Sequence, residues 1–406
     1  MFITSTTLAK TDYHKITTQK NRTETTIFPT CFDEAIQTQQ FNKNRDNSLI
    51  LKILAQIART VKSFFTTKEL EPEWNKKSYW SEGLERSIDE IIVNKKVYAN
   101  KELITELELI GKNVGFKVVN SRLNSDKNGM WIEDYSIRRP DGKIYIMPKM
   151  AQDNAITFKQ NPIFNSALSE EYSYLYDNEK IVFGKSYLEG GNVLNTICKD
   201  GSPGAIIGLE SLNYTIDAMG LKGTPEDFKI ASKQIAKDLN IKEENITFIT
   251  QPDFHIDMFY RPLQNGTIAV PDYQKAIEIL ETHKISSMDN RTKKELIEDL
   301  KAMAKKSSLS NNNKILENKG YKIKKIACFT PSRSVNSNNT INFQNAICGT
   351  GKDGSTFIIT NNSKYPEINK IIETEFKNAG IDSVYFVSTD KYLLFNGGID
   401  CLTQER

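Results

Sequence analysis

From about residue 112 onward the chain alternates short apolar runs with helical segments, which confines it to a mixed α/β fold. The runs at 116–119, 144–147, 181–183, 205–209, 247–249, 267–270, 323–329, 356–360 and 384–387 have strand length and favour β-branched or aromatic residues. Segment 225–239 opens with Thr224-Pro225-Glu226, an N-cap, a first-turn proline and an acid on the helix dipole. Segment 366–379 ends at Ala379-Gly380, a glycine stop. No repeat stands out at a fixed period, yet strand–strand–helix–strand units can recur without one.

The remainder divides by composition. Residues 1–47 are rich in Thr, Gln, Asn and Lys with scattered apolar residues, the pattern of a weakly ordered arm. Residues 48–111 are expected to form a helical extension. Within it Ile50, Ile53, Leu54, Ile57, Val61 and Phe64 recur at helical spacing over 48–66. Helical segments near 84–94 and 100–111 would cover that face. Residues 112–406 then form the main domain. Within it, 271–318 reads as a helical insertion, two helical stretches with a Ser/Asn-rich break at 307–313.

Net charge is only +3 and no Lys/Arg run carries interleaved aromatics, so nothing points to nucleic acid. No apolar h-region follows the first charges, and no run of about 18 apolar residues occurs. A cytoplasmic protein without a membrane span is the expectation. Five cysteines without C-x-x-C spacing argue against a disulfide framework and a cysteine-rich zinc site, and three histidines weaken any metal reading.

Four motifs follow one another in a telling order: Trp131-Ile132-Glu133-Asp134, Glu189-Gly190-Gly191-Asn192, His255-Ile256-Asp257 and Gly397-Gly398-Ile399-Asp400-Cys401-Leu402-Thr403-Gln404. Each has a bland reading beside a functional one. Trp131 can be core and Asp134 a turn residue; Gly190-Gly191 can be a tight turn tolerating positive φ. His255 can be an ordinary core or surface histidine, and small buried cysteines such as Cys401 are common. If 255–257 is extended, His255 and Asp257 point to one face. Taken together the set supplies a thiol nucleophile, a proton-transfer imidazole and several carboxylates. Those parts suit a planar cation such as a guanidinium, whose resonance makes its carbon a poor electrophile. A thiolate can attack that carbon, a histidine can protonate the leaving amine, and carboxylates can hold its N–H fork.

This ordered set resembles the pentein superfamily of guanidine-modifying enzymes. The ending Gly-Gly-Ile-Asp-Cys-Leu-Thr-Gln and Asn342-Phe343 look most like the agmatine deiminase branch and its bacterial peptidylarginine deiminase relatives. The resemblance implies an α/β propeller of five ββαβ units with the site in its central channel. It implies Cys401 as nucleophile, His255 as general acid/base and Glu189 as the group orienting His255. Asp134 and Asp257 would clamp the guanidinium, with Trp131 and Asn192 also at the substrate. This chemistry needs no metal and no organic cofactor.

The chain departs from the family pattern at several positions. Glu133 stands where Arg usually precedes the first aspartate, Tyr135-Ser136-Ile137 replaces the usual Gly-Pro, and Asp400 takes the place of the His that often precedes the cysteine. An acid beside Cys401 raises its thiol pKa unless it points away. The leading expectation is a deiminase converting a guanidino group of agmatine, arginine or protein arginine to a ureido group plus ammonia. An amidinotransferase with the same core and an inactive pentein-fold binding module remain alternatives. Residues 1–111 and 271–318 are expected to shape access or meet a protein partner.

Overall fold

The computed structural model describes residues 80–95, 101–121, 131–146, 181–253, 255–331, 341–395 and 397–405. The arm at 1–47 and the amphipathic helix at 48–66 lie outside the described residues. Fifteen strands appear: β1 (Glu90–Val93), β2 (Lys117–Asn120), β3 (Ser136–Arg138), β4 (Ile144–Ile146), β5 (Ile181–Phe183), β6 (Val193–Ile197), β7 (Pro203–Gly208), β8 (Ile246–Ile249), β9 (Arg261–Pro262), β10 (Thr267–Asp272), β11 (Lys322–Ala327), β12 (Ile347–Thr350), β13 (Thr356–Asn361), β14 (Ser383–Val387) and β15 (Thr403–Glu405).

They form five three-stranded sheets of one design. In each, the first strand pairs antiparallel with the second, and the second pairs parallel with the third. Parallel neighbours need a crossover, and helices supply it. Helices Leu209–Ala218 and Pro225–Leu239 join β7 to β8, and Pro366–Asn378 joins β13 to β14. Between β4 and β5, residues 147–180 fall outside the described set.

The fifth sheet draws on both ends of the described chain. Strand β15 pairs antiparallel with β1, which pairs parallel with β2 across helix Lys101–Val114. This corrects the helix expected at 84–94: Ile91, Ile92 and Val93 are at most 3% exposed because β1 is the middle strand, covered on both faces. A run buried on both faces has no alternation to separate it from a buried helix. The boundary drawn at 112 therefore cuts through a sheet unit, and the fold takes in residues well before it.

Local chemistry explains the helices. Leu103, Leu107, Ile110 and Val114 lie on one face of Lys101–Val114, and all are buried. Each such side chain contributes about 1.5–3 kcal/mol. Thr224 accepts from Asp227 N at 3.3 Å while Asp227 Oδ2 accepts from Thr224 N at 2.9 Å, a closed capping box ahead of Pro225. Helix Pro366–Asn378 stops as expected before Gly380, whose φ is +96°.

Residues 271–318 contain three helices, Tyr273–Thr282, Asn290–Ala304 and Ser307–Asn318, and they form the crossover from β10 to β11. The expected break at 307–313 is helical. Asn312 is fully buried there, donating to Thr250 O at 2.7 Å and Tyr260 Oη at 2.8 Å and accepting from Thr250 N at 3.0 Å. These tertiary bonds outweigh the weak helix propensity of Ser and Asn.

The buried Arg86–Glu405 pair, at 3.1 Å, ties β15 to the segment before β1. Glu405→Ala leaves the Arg86 charge buried and is expected to cost about 3–5 kcal/mol. Chemical denaturation measures it, and an unchanged midpoint contradicts the assigned role of this strand.

Candidate active site

The site residues sit just ahead of the first strand of each sheet. Asp134 precedes β3, Asn192 precedes β6, Asp257 precedes β9, Asn345 precedes β12 and Cys401 precedes β15. Three of the approaches are single 3₁₀ turns, Glu133–Tyr135, Gly190–Asn192 and Ile256–Met258. Such turns point consecutive side chains in different directions, which serves a site assembled from several segments. His255 and Asp257 are thus not two residues along a strand. His255 caps the turn that carries Asp257.

Cys401 is 3% exposed, with its thiol 3.2 Å from Asp257 Oδ2. Asn345 Nδ2 donates to both, at 3.2 Å to Sγ and 2.6 Å to the carboxylate. His255 Nε2 lies 3.2 Å from Glu189 Oε2, and Nδ1 lies 3.7 Å from Asp134 Oδ1. Tyr187 Oη donates to Glu189 Oε1 at 2.8 Å, fixing the carboxylate that holds the imidazole. Contacts thus form two buried groups, Cys401 with Asp257 and Asn345, and His255 with Glu189 and Asp134, and Asp257 acts electrostatically on both members of the His255–Asp134 pair.

Glycines set the spacing. A Cβ on Gly191 would lie 2.3 Å from His255 Nδ1, and one on Gly397 would lie 2.1 Å from the Trp131 ring. Neither glycine has a positive φ. The Glu-Gly-Gly motif serves close approach, where the sequence also left open a turn needing positive φ. Trp131 is buried in the same apolar cluster as Cys401 and packs beneath the loop that leads to it.

Charge in this site is lopsided. Burial pushes the Cys401 thiol well above its ordinary value, and Asp257, Asp134, Glu133 and Asp400 push the same way. Burial raises Asp134 to about 7 against the pull of His255, with Glu189 and Asp257 adding to the rise. For His255, burial works to lower the pKa, but Asp134 and Glu189 outweigh it and hold the imidazole at about 9. Burial also lifts Asp257 and Glu133. Several oxygens meet no hydrogen-bond donor among the described residues: Glu133 Oε2, Asp134 Oδ1, Asn192 Oδ1 and Asp257 Oδ1.

Asp400 is paired, though its charge still adds to the rise of the Cys401 thiol. Its carboxylate is bound by Arg261, which also reaches Glu82 Oε2 at 3.2 Å and Gln344 O at 3.2 Å. Burial works against the Arg261 charge, but Asp400 and Glu82 more than offset it and hold the guanidinium firmly protonated. The Asp400 backbone N–H meanwhile donates to Asn345 Oδ1 at 3.0 Å. Arg261 and Asn345 escaped the sequence reading. Arg261 lies within reach of the His-x-Asp motif, and Asn345 follows the noted Asn342-Phe343, but only the fold brings either to Cys401.

No protein-family model and no curated protein matches this sequence. Solved structures do. A cysteine-to-serine variant of C. jejuni agmatine deiminase with substrate bound aligns with a TM-score of 0.50 at 14% identity, covering 84% of this chain and 98% of that one. C. jejuni agmatine deiminase aligns at 0.49 and 15% identity over 81% and 94% of the two chains. The Enterococcus faecalis agmatine deiminase aligns at 0.45 and 12% identity over 84% and 99%. At these identities the likeness is one of fold alone: this chain shares the fold of the substrate-bound agmatine deiminase structure.

Proposed function

We propose that this protein is a cysteine-dependent deiminase that hydrolyses a guanidino group to a ureido group and ammonia. The observation that carries the reading is a pair of buried carboxylate oxygens with no donor among the described residues, Glu133 Oε2 and Asp257 Oδ1, on residues that bring a ligand atom within 4.8 Å of the Cys401 sulfur. A buried acceptor left unpaired costs about 1–3 kcal/mol, and a planar cation with several N–H donors offsets that cost at more than one oxygen. The same cation lowers the electrostatic penalty on a thiolate. In this reading the five sheets surround a shared axis, and the loops ahead of their first strands form the substrate receptor.

The chemistry then follows from the contacts. Asp134 and Asp257 accept the N–H fork, and Trp131 walls the pocket. As the cation binds, the Cys401 thiol gives its proton to solvent, and the thiolate attacks the central carbon, forming a C–S bond and a tetrahedral adduct. His255, held by Glu189, gives a proton to the departing nitrogen, and the C–N bond breaks to release ammonia. An amidino-thioether remains on Cys401. His255 next takes a proton from water, whose oxygen attacks the same carbon; the C–S bond then breaks and the adduct's hydroxyl proton passes to solvent, which frees the neutral ureido product and the thiolate. Asn345 donates to sulfur at the start and end of this cycle, when its charge is greatest. Arg261 keeps Asp400 from adding its full charge beside the thiol.

Agmatine, free arginine and an arginine-containing protein mixture, each assayed for ureido product, decide the substrate. At least one is expected to yield it with release of one ammonia, and Cys401→Ser is expected to yield none because a hydroxyl ionises far less than a thiol. Absence of ureido product from all three, or undiminished turnover by Cys401→Ser, contradicts the proposal. An amidine product in the presence of an added amine would assign the second step to transfer. Asp257→Asn should raise KM and lower kcat together, with kcat/KM falling by about 10²-fold or more. Unaltered kinetics remove Asp257 from the clamp.

A further inference from the structure

We infer that Glu133, Asp257 and Cys401 also form a site for a thiophilic divalent cation of the Zn²⁺ class, occupied in competition with the guanidinium. One ligand atom from each residue lies within 4.8 Å of the others, and all three residues are buried. The Cys401 Sγ to Asp257 Oδ2 separation is 3.2 Å. Zinc bonds of about 2.3 Å to sulfur and about 2.0–2.2 Å to oxygen place neighbouring tetrahedral ligands roughly 3.5 Å apart. To close around an ion the three side chains draw together from separations of up to 4.8 Å, and the Asn345 amide yields its bonds to Sγ and Asp257 Oδ2.

The surroundings favour this use of the cluster. Glu133 Oε2 and Asp257 Oδ1 are buried acceptors with no donor among the described residues. The nearby cationic side chains are engaged elsewhere, His255 with Glu189 and Asp134, Arg261 with Asp400 and Glu82. One thiolate and two carboxylates match a borderline-soft ion, whereas Mg²⁺ and Ca²⁺ require all-oxygen shells. Glu133 and Asp257 both sit in short turns backed by strands, which restricts their movement.

Binding would release the thiol proton to solvent and place the sulfur on the ion, leaving one tetrahedral position for water. The protein would then be held inactive, its nucleophile shielded, until a chelator removed the ion. The competition clause rests on the guanidinium reading, whereas the metal site does not.

Co²⁺ is a suitable probe because thiolate ligation gives it a charge-transfer absorption. Metal-free protein should develop that absorption with one equivalent of Co²⁺ and lose it completely in Cys401→Ala. Glu133→Gln, near-isosteric and checked for folding by circular dichroism, should bind about tenfold more weakly or worse. No absorption in the native chain, absorption persisting in Cys401→Ala, or undiminished affinity in Glu133→Gln overturns the site. A guanidine that is turned over should shift the Co²⁺ titration to higher concentration, and failure to do so overturns the competition. Should Co²⁺ bind as described while no guanidine is turned over, the metal site stands and the deiminase reading fails.

Discussion

A thiol buried among carboxylates is the interaction on which the rest of this structure depends. Left in water, Cys401 and its acidic neighbours would repel one another weakly. Buried together, they destabilise each other's charged forms, and the thiol rises well above its ordinary pKa. Such a cluster is tolerable only where the surrounding fold fixes every member. Here the acids come from three segments, Glu133 and Asp134 from one turn, Asp257 from another and Asp400 from the loop before β15, and each segment leads into the first strand of its own three-stranded sheet. The strain is also useful, because a cation entering this site relieves several penalties at once.

The supporting contacts divide the charge. Arg261 takes Asp400 and Glu82, and so offsets part of one acid's charge beside the thiol. Asn345 joins the Asp400 backbone, the Asp257 carboxylate and the Cys401 sulfur through a single amide. Asn361 Oδ1 accepts from Ile399 N at 2.9 Å, and Asn361 Nδ2 donates to Asn345 O at 2.8 Å, which fixes the loop that carries Cys401 to the fourth sheet. The site is thus rigid where the thiol sits and open in hydrogen bonding where a substrate's N–H groups would go.

Much of the fold could be read directly. The nine strand runs recognised in the sequence are the second and third strands of their sheets, whose apolar residues pack under crossover helices. The first strands were missed. β3, β6, β9 and β15 bury polar and charged residues, Arg138, Asn195, Arg261 and Gln404 among them, and β12 has only Ile347 and Cys348 before a glycine, so no long apolar run marks any of the five. Strand β1 was read as helix because a run buried on both faces shows no alternation. The site motifs were legible because their chemistry is local to a few residues each. Arg261 and Asn345 were not, since their roles arise from partners more than fifty positions away in sequence.

The account's central claim is that this site selects positive charge on a planar N–H fork. Calorimetric titration of Cys401→Ser with a guanidine and with its neutral ureido counterpart measures that selection apart from turnover. The guanidine is expected to bind more than about tenfold tighter, a difference of at least about 1.4 kcal/mol. Equal affinity for the two would contradict the claim.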